Sequence, residues 1–458
     1  MLRMVPLPTP SAQGGIVADH AVSDHPGVQK QLERLAALAP AGEMLGLERI
    51  AALLEKLGNP ERRLPPVLHV AGTNGKGSTC AFLRAAIEAA GLKAHVYTSP
   101  HLVRFNERIR IAGKLIEDEA LAGFLEEALD AASGMEISFF EATTAAAFLA
   151  FSRTQADACI VEVGLGGRLD ATNVVAAPVA CGIAQLGLDH QAYLGSRIEQ
   201  VAAEKAGIAK AGVPLVTHQY PPAIADRIGE TAERAGALWL PRGGKWDAAL
   251  YRDQLHYRDE GGPVDLPLPR LRGAHQAMNA GLAVAMLRHQ DAIRVPESAL
   301  RAAMGWADWP ARLQRLARGP LHDLLPKDAE LWLDGGHNPA AARVVGDYFR
   351  AHVPGDRPFH IVLGLLANKD ATGMLKPFQG RSVTFHPVPV EGHEHHLPTD
   401  LARTAKESGL SAVPAAGVED ALGWIARHAD RARPPFVLIL GSLYLAGEVL
   451  RKNGQMPN

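Results

Sequence analysis

The sequence predicts an α/β protein in two parts: an N-terminal doubly wound, mostly parallel sheet, and a smaller C-terminal α/β unit of Rossmann-like type. Three observations predict it. Short apolar runs alternate with longer Ala- and Leu-rich stretches, as in consecutive βαβ units. The alternation stops after Arg288 and resumes near Leu331. The composition is 47% hydrophobic but only 5% aromatic, with 45 glycines, which suits helices packed on parallel sheets better than an aromatic-rich sandwich. A length of 458 residues is about three times the ~150-residue domain prior, so two or three domains are expected.

The first elements are helical, with leucines at helical spacing across residues 28–57. Strand-length apolar runs follow at 67–71, 94–97, 158–163, 179–184 and 214–217, and helical stretches at 79–90, 117–132, 141–152 and 198–210. Residues 239–268 are rich in Gly, Asp, Arg and Pro, with alternating pieces such as Leu255-His256-Tyr257, and predict a small antiparallel excursion. A helix resumes at 275–288. The second alternation has strands around Leu331-Trp332-Leu333, at 360–363 and at 436–440, with a helix from Pro339. The domain boundary is expected in 304–316, giving domains 1–305 and 306–458. Residues 1–27, with Pro6, Pro8, Pro10 and Pro26, read as a loose leader.

Charge and cysteine content exclude several classes of function. Lys plus Arg number 47 against 49 Asp plus Glu, a formal charge of −2, so neither nucleic acid nor a membrane surface is an expected partner. Any anion site must be local. The longest uncharged apolar stretch, 171–188, is broken by Asn173, Pro178, Gly182 and Gln185, which argues against a membrane span. Cys80, Cys159 and Cys181 are too few and too scattered for a disulfide framework or CxxC site, and read as packing residues in a reducing, cytoplasmic protein.

The strongest chemical signal is Gly72-Thr73-Asn74-Gly75-Lys76-Gly77-Ser78-Thr79, a glycine loop between a strand and a helix. Such a loop wraps phosphates with backbone N–H groups, Lys76 adds a point charge, and the helix N-terminus faces the anion. The spacing resembles a P-loop-like ATP site with one departure: Gly77 stands where a metal-binding hydroxyl would follow the lysine, and Ser78 comes one residue late. The tract His393-Glu394-His395-His396, with His386 upstream and prolines around it, matches no familiar ligand spacing and reads as a solvated surface loop.

From about Leu45 to Glu448 the chain resembles the folate-type members of the Mur ligase superfamily, the dihydrofolate synthases and folylpolyglutamate synthases. The likeness rests on the glycine loop and, in order, on Thr98-Ser99-Pro100-His101-Leu102, Phe140-Glu141-Ala142-Thr143-Thr144 and the run from Glu162-Val163-Gly164 to Ala171-Thr172-Asn173. It continues with Leu188-Asp189-His190, Glu204-Lys205-Ala206-Gly207-Ile208, His275-Gln276 with Asn279, Asp334 with His337-Asn338-Pro339, and Gly441-Ser442-Leu443-Tyr444. The resemblance implies an ATP-dependent amide ligase. The γ-phosphoryl group activates a carboxylate as an acyl phosphate, and the amine of L-glutamate attacks it, releasing ADP and phosphate. The implied acceptors are 7,8-dihydropteroate and the glutamyl tail of reduced folates.

The resemblance also implies roles. ATP is held by Gly72 to Ser78 and by Asn279, Arg312 and Asp334. Ser99 and Glu162, both at the ends of strand-like runs, hold a first Mg²⁺, and His190 and Lys205 a second, with Lys205 carbamylated by CO₂. Lys76, His190 and Lys205 are the implied catalytic residues. Phe140, Glu141, Ala142, Thr143, Leu169, Asp170 and Ala171 line the pterin and p-aminobenzoate pocket, and His337 is a candidate for positioning glutamate. Against these roles stand plainer ones: Glu162 paired with Arg168, and Lys205 paired with Glu204 or Glu199. Ala311 precedes Arg312 where the family usually has Gly, so a positive φ there would strain it. A monomer is expected. A folylpolyglutamate synthase alone, a Mur-type ligase with another acceptor, and a nucleotide-dependent switch without ligase chemistry remain as alternatives.

Overall fold

The computed structural model describes residues 22–38, 45–355, 357–430 and 432–457, so most of the proline-rich leader lies outside the described residues. Two compact units are present. One comprises the chain up to Arg270 together with 274–308; the other comprises Leu271–Gly273 and the chain from Trp309 onward. No helix among the described residues is long and apolar enough to cross a membrane.

The first unit contains β1 (Val67–Ala71), β2 (Ala94–Tyr97), β3 (Ile109–Ile111), β4 (Lys114–Leu115), β5 (Ala158–Glu162), β6 (Ala180–Ile183), β7 (Pro214–Thr217) and β8 (Leu238–Pro241) in one sheet ordered β4-β3-β2-β5-β1-β6-β7-β8. Every pairing is parallel except β2 with β3 and β3 with β4. β1, β2, β5 and β6 are buried at every residue. Strands covered on both faces carry unbroken apolar runs, and those runs made them legible. β1 lies between β5 and β6, where the crossovers change direction, and ligands of doubly wound sheets gather at the carboxyl ends of such strands.

Three details depart from the expectation. The helical stretch 28–57 is two helices, Pro26–Ala36 and Glu48–Lys56. The Leu238–Pro241 run does not join the antiparallel excursion; after the amphipathic helix Pro222–Ala235 it completes a βαβ unit beside β7. The β3–β4 hairpin escapes the sequence because strands of three and two residues carry no periodic signal. The excursion itself is a three-stranded antiparallel sheet of β9 (Trp246–Tyr251), β10 (Gln254–Asp259) and β11 (Gly262–Pro267). Arg252 and Asp253 turn β9 into β10 with φ of 47° and 57°, the positive pair that a two-residue hairpin loop demands.

The second unit holds β12 (Gln314–Arg315), β13 (Glu330–Asp334), β14 (Phe359–Leu363), β15 (Val383–Pro387), β16 (Ser411–Ala412) and β17 (Phe436–Leu440), ordered β12-β13-β17-β14-β15-β16 and parallel except at β12. Its core centres on Trp332, stacked on Phe436 at 5.7 Å and met edge-on by Phe349 at 5.6 Å. His386 is not in a surface loop. It sits inside β15, 0% exposed, with its Nε2 3.0 Å from His360 Nδ1. The His393–His396 tract is also less solvated than expected: the His393 ring stacks on Tyr444 at 3.8 Å, and His396 Nε2 lies 2.9 Å from the Lys369 carbonyl. These contacts follow from tertiary packing, which the proline-rich flanks conceal.

Candidate active site

β1 runs into the glycine loop, and the helix Lys76–Ala89 begins at Gly75, whose φ of +86° only glycine adopts freely. A Cβ at Gly75 would lie 2.5 Å from Asn279 Oδ1, so the loop passes close against the helix Ala274–Arg288. Asn279 is buried and donates from Nδ2 to Gln276 at 3.1 Å. The loop is pinned from the β6 side: the Thr73 and Asn74 N–H groups donate to the Gln185 carbonyl, and Thr73 Oγ1 donates to the Gly187 carbonyl. Ser78, 2% exposed in the first turn of the helix, has a hydroxyl with no hydrogen-bond partner among the described residues. That orphaned oxygen and the unpaired N–H groups of a first helical turn suit an anion with its cation.

Glu162 ends β5 beside this loop, in register with Val70. It is buried, and the Ser99 N–H points at its Oε2 over 3.4 Å. Arg168 does not pair with it, because the guanidinium is bound to Glu204 at 2.8 Å. The structure thus brings the Ser99 backbone against the Glu162 carboxylate. No group of three or more His, Cys, Asp or Glu able to hold a metal occurs among the described residues. A sparse oxygen set fits Mg²⁺, which keeps several waters and shares phosphate oxygens.

Lys205 lies in the last turn of the helix Ile198–Ala206, 4% exposed. With Glu204 committed to Arg168 and Glu199 to Arg197, it has no ion pair among the described residues. Burial, then the nearby charge of Lys76, pulls its ammonium down to about 7, against the pull of Asp189, Asp170 and Glu204. Lys76 and Glu162 both act electrostatically on Cys80 in the helix behind the loop. The Lys76 charge is thus felt at Cys80 and at Lys205 alike. Burial raises all three thiols, which fits packing residues. His190 is exposed, has a φ of 50°, and starts the short helix Gln191–Leu194 with its N–H on Asp189 Oδ1 at 2.9 Å.

The expected pterin-pocket residues divide. Phe140 is half-buried and covers Gly164, where a Cβ would overlap its ring. Leu169 is half-buried, whereas Ala171 is buried. Glu141 is buried and consumed: it closes a capping box with Ser138 at 2.8 Å and pairs with Arg49 at 3.1 Å. Ala142 and Thr143 face the core, with Thr143 Oγ1 bonded to the Phe139 carbonyl. Asp170, 2% exposed, spends its carboxylate on its own loop, accepting from Leu165 N–H at 2.8 Å, Thr172 N–H at 3.0 Å and Thr172 Oγ1 at 2.5 Å. Gly167 and Gly207 keep this loop tight against the Lys205 helix: a Cβ at Gly167 would lie 2.7 Å from the Glu204 carbonyl, and one at Gly207 would run into Arg168.

In the second unit, Ala311 has a φ of 55° and Leu313 one of 42°, so the loop that presents Arg312 is strained at both flanks. Asp334 holds it, accepting from Leu313 N–H and Gly336 N–H at 2.8 Å each. Burial pushes the Asp334 carboxyl up, and Arg312 is the first of the groups opposing that. Asn338 caps the helix Pro339–His352, and His337 Nδ1 lies 3.0 Å from the Gly335 carbonyl. The motifs did not single out the Gln185 carbonyl that pins the glycine loop, or the buried His69 whose ring meets Thr172. Each acts through a contact across the sheet that no local pattern encodes.

A strand, glycine loop and helix with a lysine, a strand-end carboxylate and a buried lysine fit an ATP-dependent ligase. A family model described as the dihydrofolate synthetase C-terminal domain matches residues 320–452. The chain is 33% identical to the dihydrofolate synthase/folylpolyglutamate synthase of Escherichia coli over 89% of this chain and 90% of that protein. It is also 33% identical to the dihydrofolate synthetase of Saccharomyces cerevisiae, over 89% and 97%. The structure of Escherichia coli FolC in complex with DHPP and ADP matches with a TM-score of 0.82 at 32% identity, covering 93% of this chain and 97% of that one. The Yersinia pestis bifunctional folylpolyglutamate synthase/dihydrofolate synthase complexed with AMPPNP and Mn ion matches at 0.81 and 30% identity, with the same coverage. The chain belongs to the dihydrofolate synthase/folylpolyglutamate synthase family, enzymes that ligate glutamate at the expense of ATP.

Proposed function

We propose that this chain carries both activities of the bifunctional relatives: it joins L-glutamate to 7,8-dihydropteroate and adds further glutamates to the tail of reduced folates. What supports the chemistry is that Lys76 opens the helix after β1, Glu162 ends β5 in register with Val70 of β1, and the Lys76 charge acts on the buried Lys205. The loop N–H groups and Lys76 hold the triphosphate, and Asn279, Arg312 and Asp334 add nucleotide contacts. Ser99 and Glu162 would hold one Mg²⁺, with His190 and Lys205 at a second. A divalent cation there supplies neutralisation of phosphate and carboxylate oxygens.

Lys205 enters this scheme as a carbamate. A primary amine attacks CO₂ only when neutral, and a lysine with a pKa of about 7 is largely neutral just above neutrality. Loss of one proton leaves an anionic N-carboxylate, so a buried cation becomes an oxygen ligand. Phe140 and Leu169 would meet the flat acceptor, while Glu141, Ala142, Thr143, Asp170 and Ala171 shape the wall behind them. The enzyme is proposed to act as a monomer in the cytoplasm.

Identity alone does not distinguish the two activities, because relatives with either one match as well as those with both. The deciding experiment is phosphate release from ATP with Mg²⁺ and L-glutamate, supplying 7,8-dihydropteroate in one arm and a reduced folate in the other. Carboxylate-dependent release is expected in both arms. Release in one arm only would reduce the proposal to that activity, and release in neither would end it.

A further inference from the structure

We propose that His69 and Thr172 are positioning residues that set the acceptor loop 164–172 through a buried hydrogen-bond chain ending on the Asp170 carboxylate. This rests on the reading of that loop as part of the pterin pocket. His69 is the middle residue of β1, 0% exposed, in register with Val161 on one side and Cys181 on the other. An imidazole in the centre of a covered parallel sheet is costly unless it is bonded. Its single side-chain partner among the described residues is Thr172: His69 Nε2 lies 2.9 Å from Thr172 Oγ1, and that oxygen lies 2.5 Å from Asp170 Oδ1.

The direction of the chain follows from donors and acceptors. Burial raises the Asp170 carboxyl, but the Leu165 and Thr172 N–H groups that it accepts favour the carboxylate, and the Thr172 hydroxyl donates to its Oδ1. Thr172 Oγ1 is then left to accept, so His69 donates from Nε2–H. This leaves Nδ1 bare, and Nδ1 is the buried ring nitrogen that has no partner. An unfilled lone pair is the milder of the two ways to leave that atom unpaired, since a buried N–H without an acceptor is rarer in folded proteins. Burial and the charge of Lys210 keep the ring neutral, with a pKa of about 3.

The far end of the chain is the loop backbone. Asp170 Oδ2 fixes Leu165 N–H, next to the Gly164 that lies under the Phe140 ring with no room for a Cβ. A rigid sheet residue therefore sets how near the loop lies to Phe140. The assignment predicts an effect on the acceptor and not on the nucleotide, whose loop is pinned separately by Gln185 and Gly187.

The test uses the full chain with Thr172→Val, which keeps the shape and removes the hydroxyl, Thr172→Ser, which keeps the hydroxyl, and His69→Leu. The KM values for 7,8-dihydropteroate and ATP are measured beside the thermal midpoint. Thr172→Val and His69→Leu are expected to raise the dihydropteroate KM roughly 5- to 10-fold, the range of one lost buried hydrogen bond, with the ATP KM within about 2-fold. Thr172→Ser is expected to restore the dihydropteroate KM, and the double variant to be no worse than Thr172→Val alone. An unchanged dihydropteroate KM in Thr172→Val, or parallel rises in both KM values that follow the thermal midpoint, would overturn the assignment. Should the variants fold poorly, ¹⁵N NMR of the unaltered protein decides: an Nε2–H tautomer at His69 supports the chain and an Nδ1–H tautomer overturns it. Wild-type protein that turns over no pteroate would instead overturn the proposed function beneath it.

Discussion

A lysine in the last turn of a surface helix ordinarily extends its stem and keeps its ammonium in water. Lys205 is instead enclosed by the 164–170 loop, the two glycines that allow the approach, and a second cation at Lys76. The motif around it was readable as a string, but its depressed pKa arises from segments more than 30 positions away. We expect Lys205→Ala to abolish turnover, at least ~10³-fold in phosphate release, while nucleotide affinity by titration stays within about 3-fold; near-normal turnover would remove the carbamate. Glu141 makes the contrasting case. Its motif suggested a pocket residue, yet both of its oxygens serve Ser138 and Arg49. Glu141→Ala should lower stability by about 3 kcal/mol in denaturant unfolding, the low end for removing one member of a buried pair because Arg49 keeps some contact with water, with little change in the dihydropteroate KM. A large KM change at unaltered stability would return Glu141 to the pocket.

At the scale of elements, the glycine loop shows where a sequence boundary misleads. Lys76, Gly77 and Ser78 read as loop, yet the helix starts at Lys76. The N–H groups of the first helical turn have no intrahelical acceptors, so they remain as donors for a ligand, and Gly77 puts no side chain among them. Gly75 is the sensitive point, for it combines a φ of +86° with the close approach of Asn279. Gly75→Ala is expected to cost about 1–2 kcal/mol from the backbone alone and to raise the ATP KM at least ~10-fold, read from thermal unfolding and steady-state kinetics. Gly58→Ala is the matched control: φ is +80° but nothing lies within 4 Å of the added methyl, so only the stability loss should appear. An equal ATP effect in both variants would show that contact with Asn279 is irrelevant.

At the scale of the molecule, the second unit carries a buried titratable pair far along the chain from the phosphate loop. Burial holds His360 down to about 4 and His386 to about 3, and the unfolded chain has both near 6.5. Between those values the unfolded state binds more protons than the folded one, so stability falls as pH drops from about 6.5 towards 4. A fall in the thermal midpoint of several degrees across that window is expected. His386→Phe should lessen the dependence without abolishing it, since the buried His69 (about 3) and His218 (about 4) of the first unit titrate in the same direction, and a slope identical to wild type would exclude the pair as a contributor.

The sequence by itself determined the α/β class, the positions of the buried parallel strands, the glycine loop and the order of the family's motifs. Each is written locally, as an apolar run covered on both faces or as glycines where a backbone must turn or approach. Only the tertiary structure decided which motif residues present themselves and which hold others in place. Phe140 stands over Gly164 while Glu141 beside it caps a helix; Asp170 fastens a loop; His386 leaves its expected loop for the core. Exposure, pairing and pKa are set by neighbours distant in sequence, and burial in a low-dielectric interior makes those neighbours decisive.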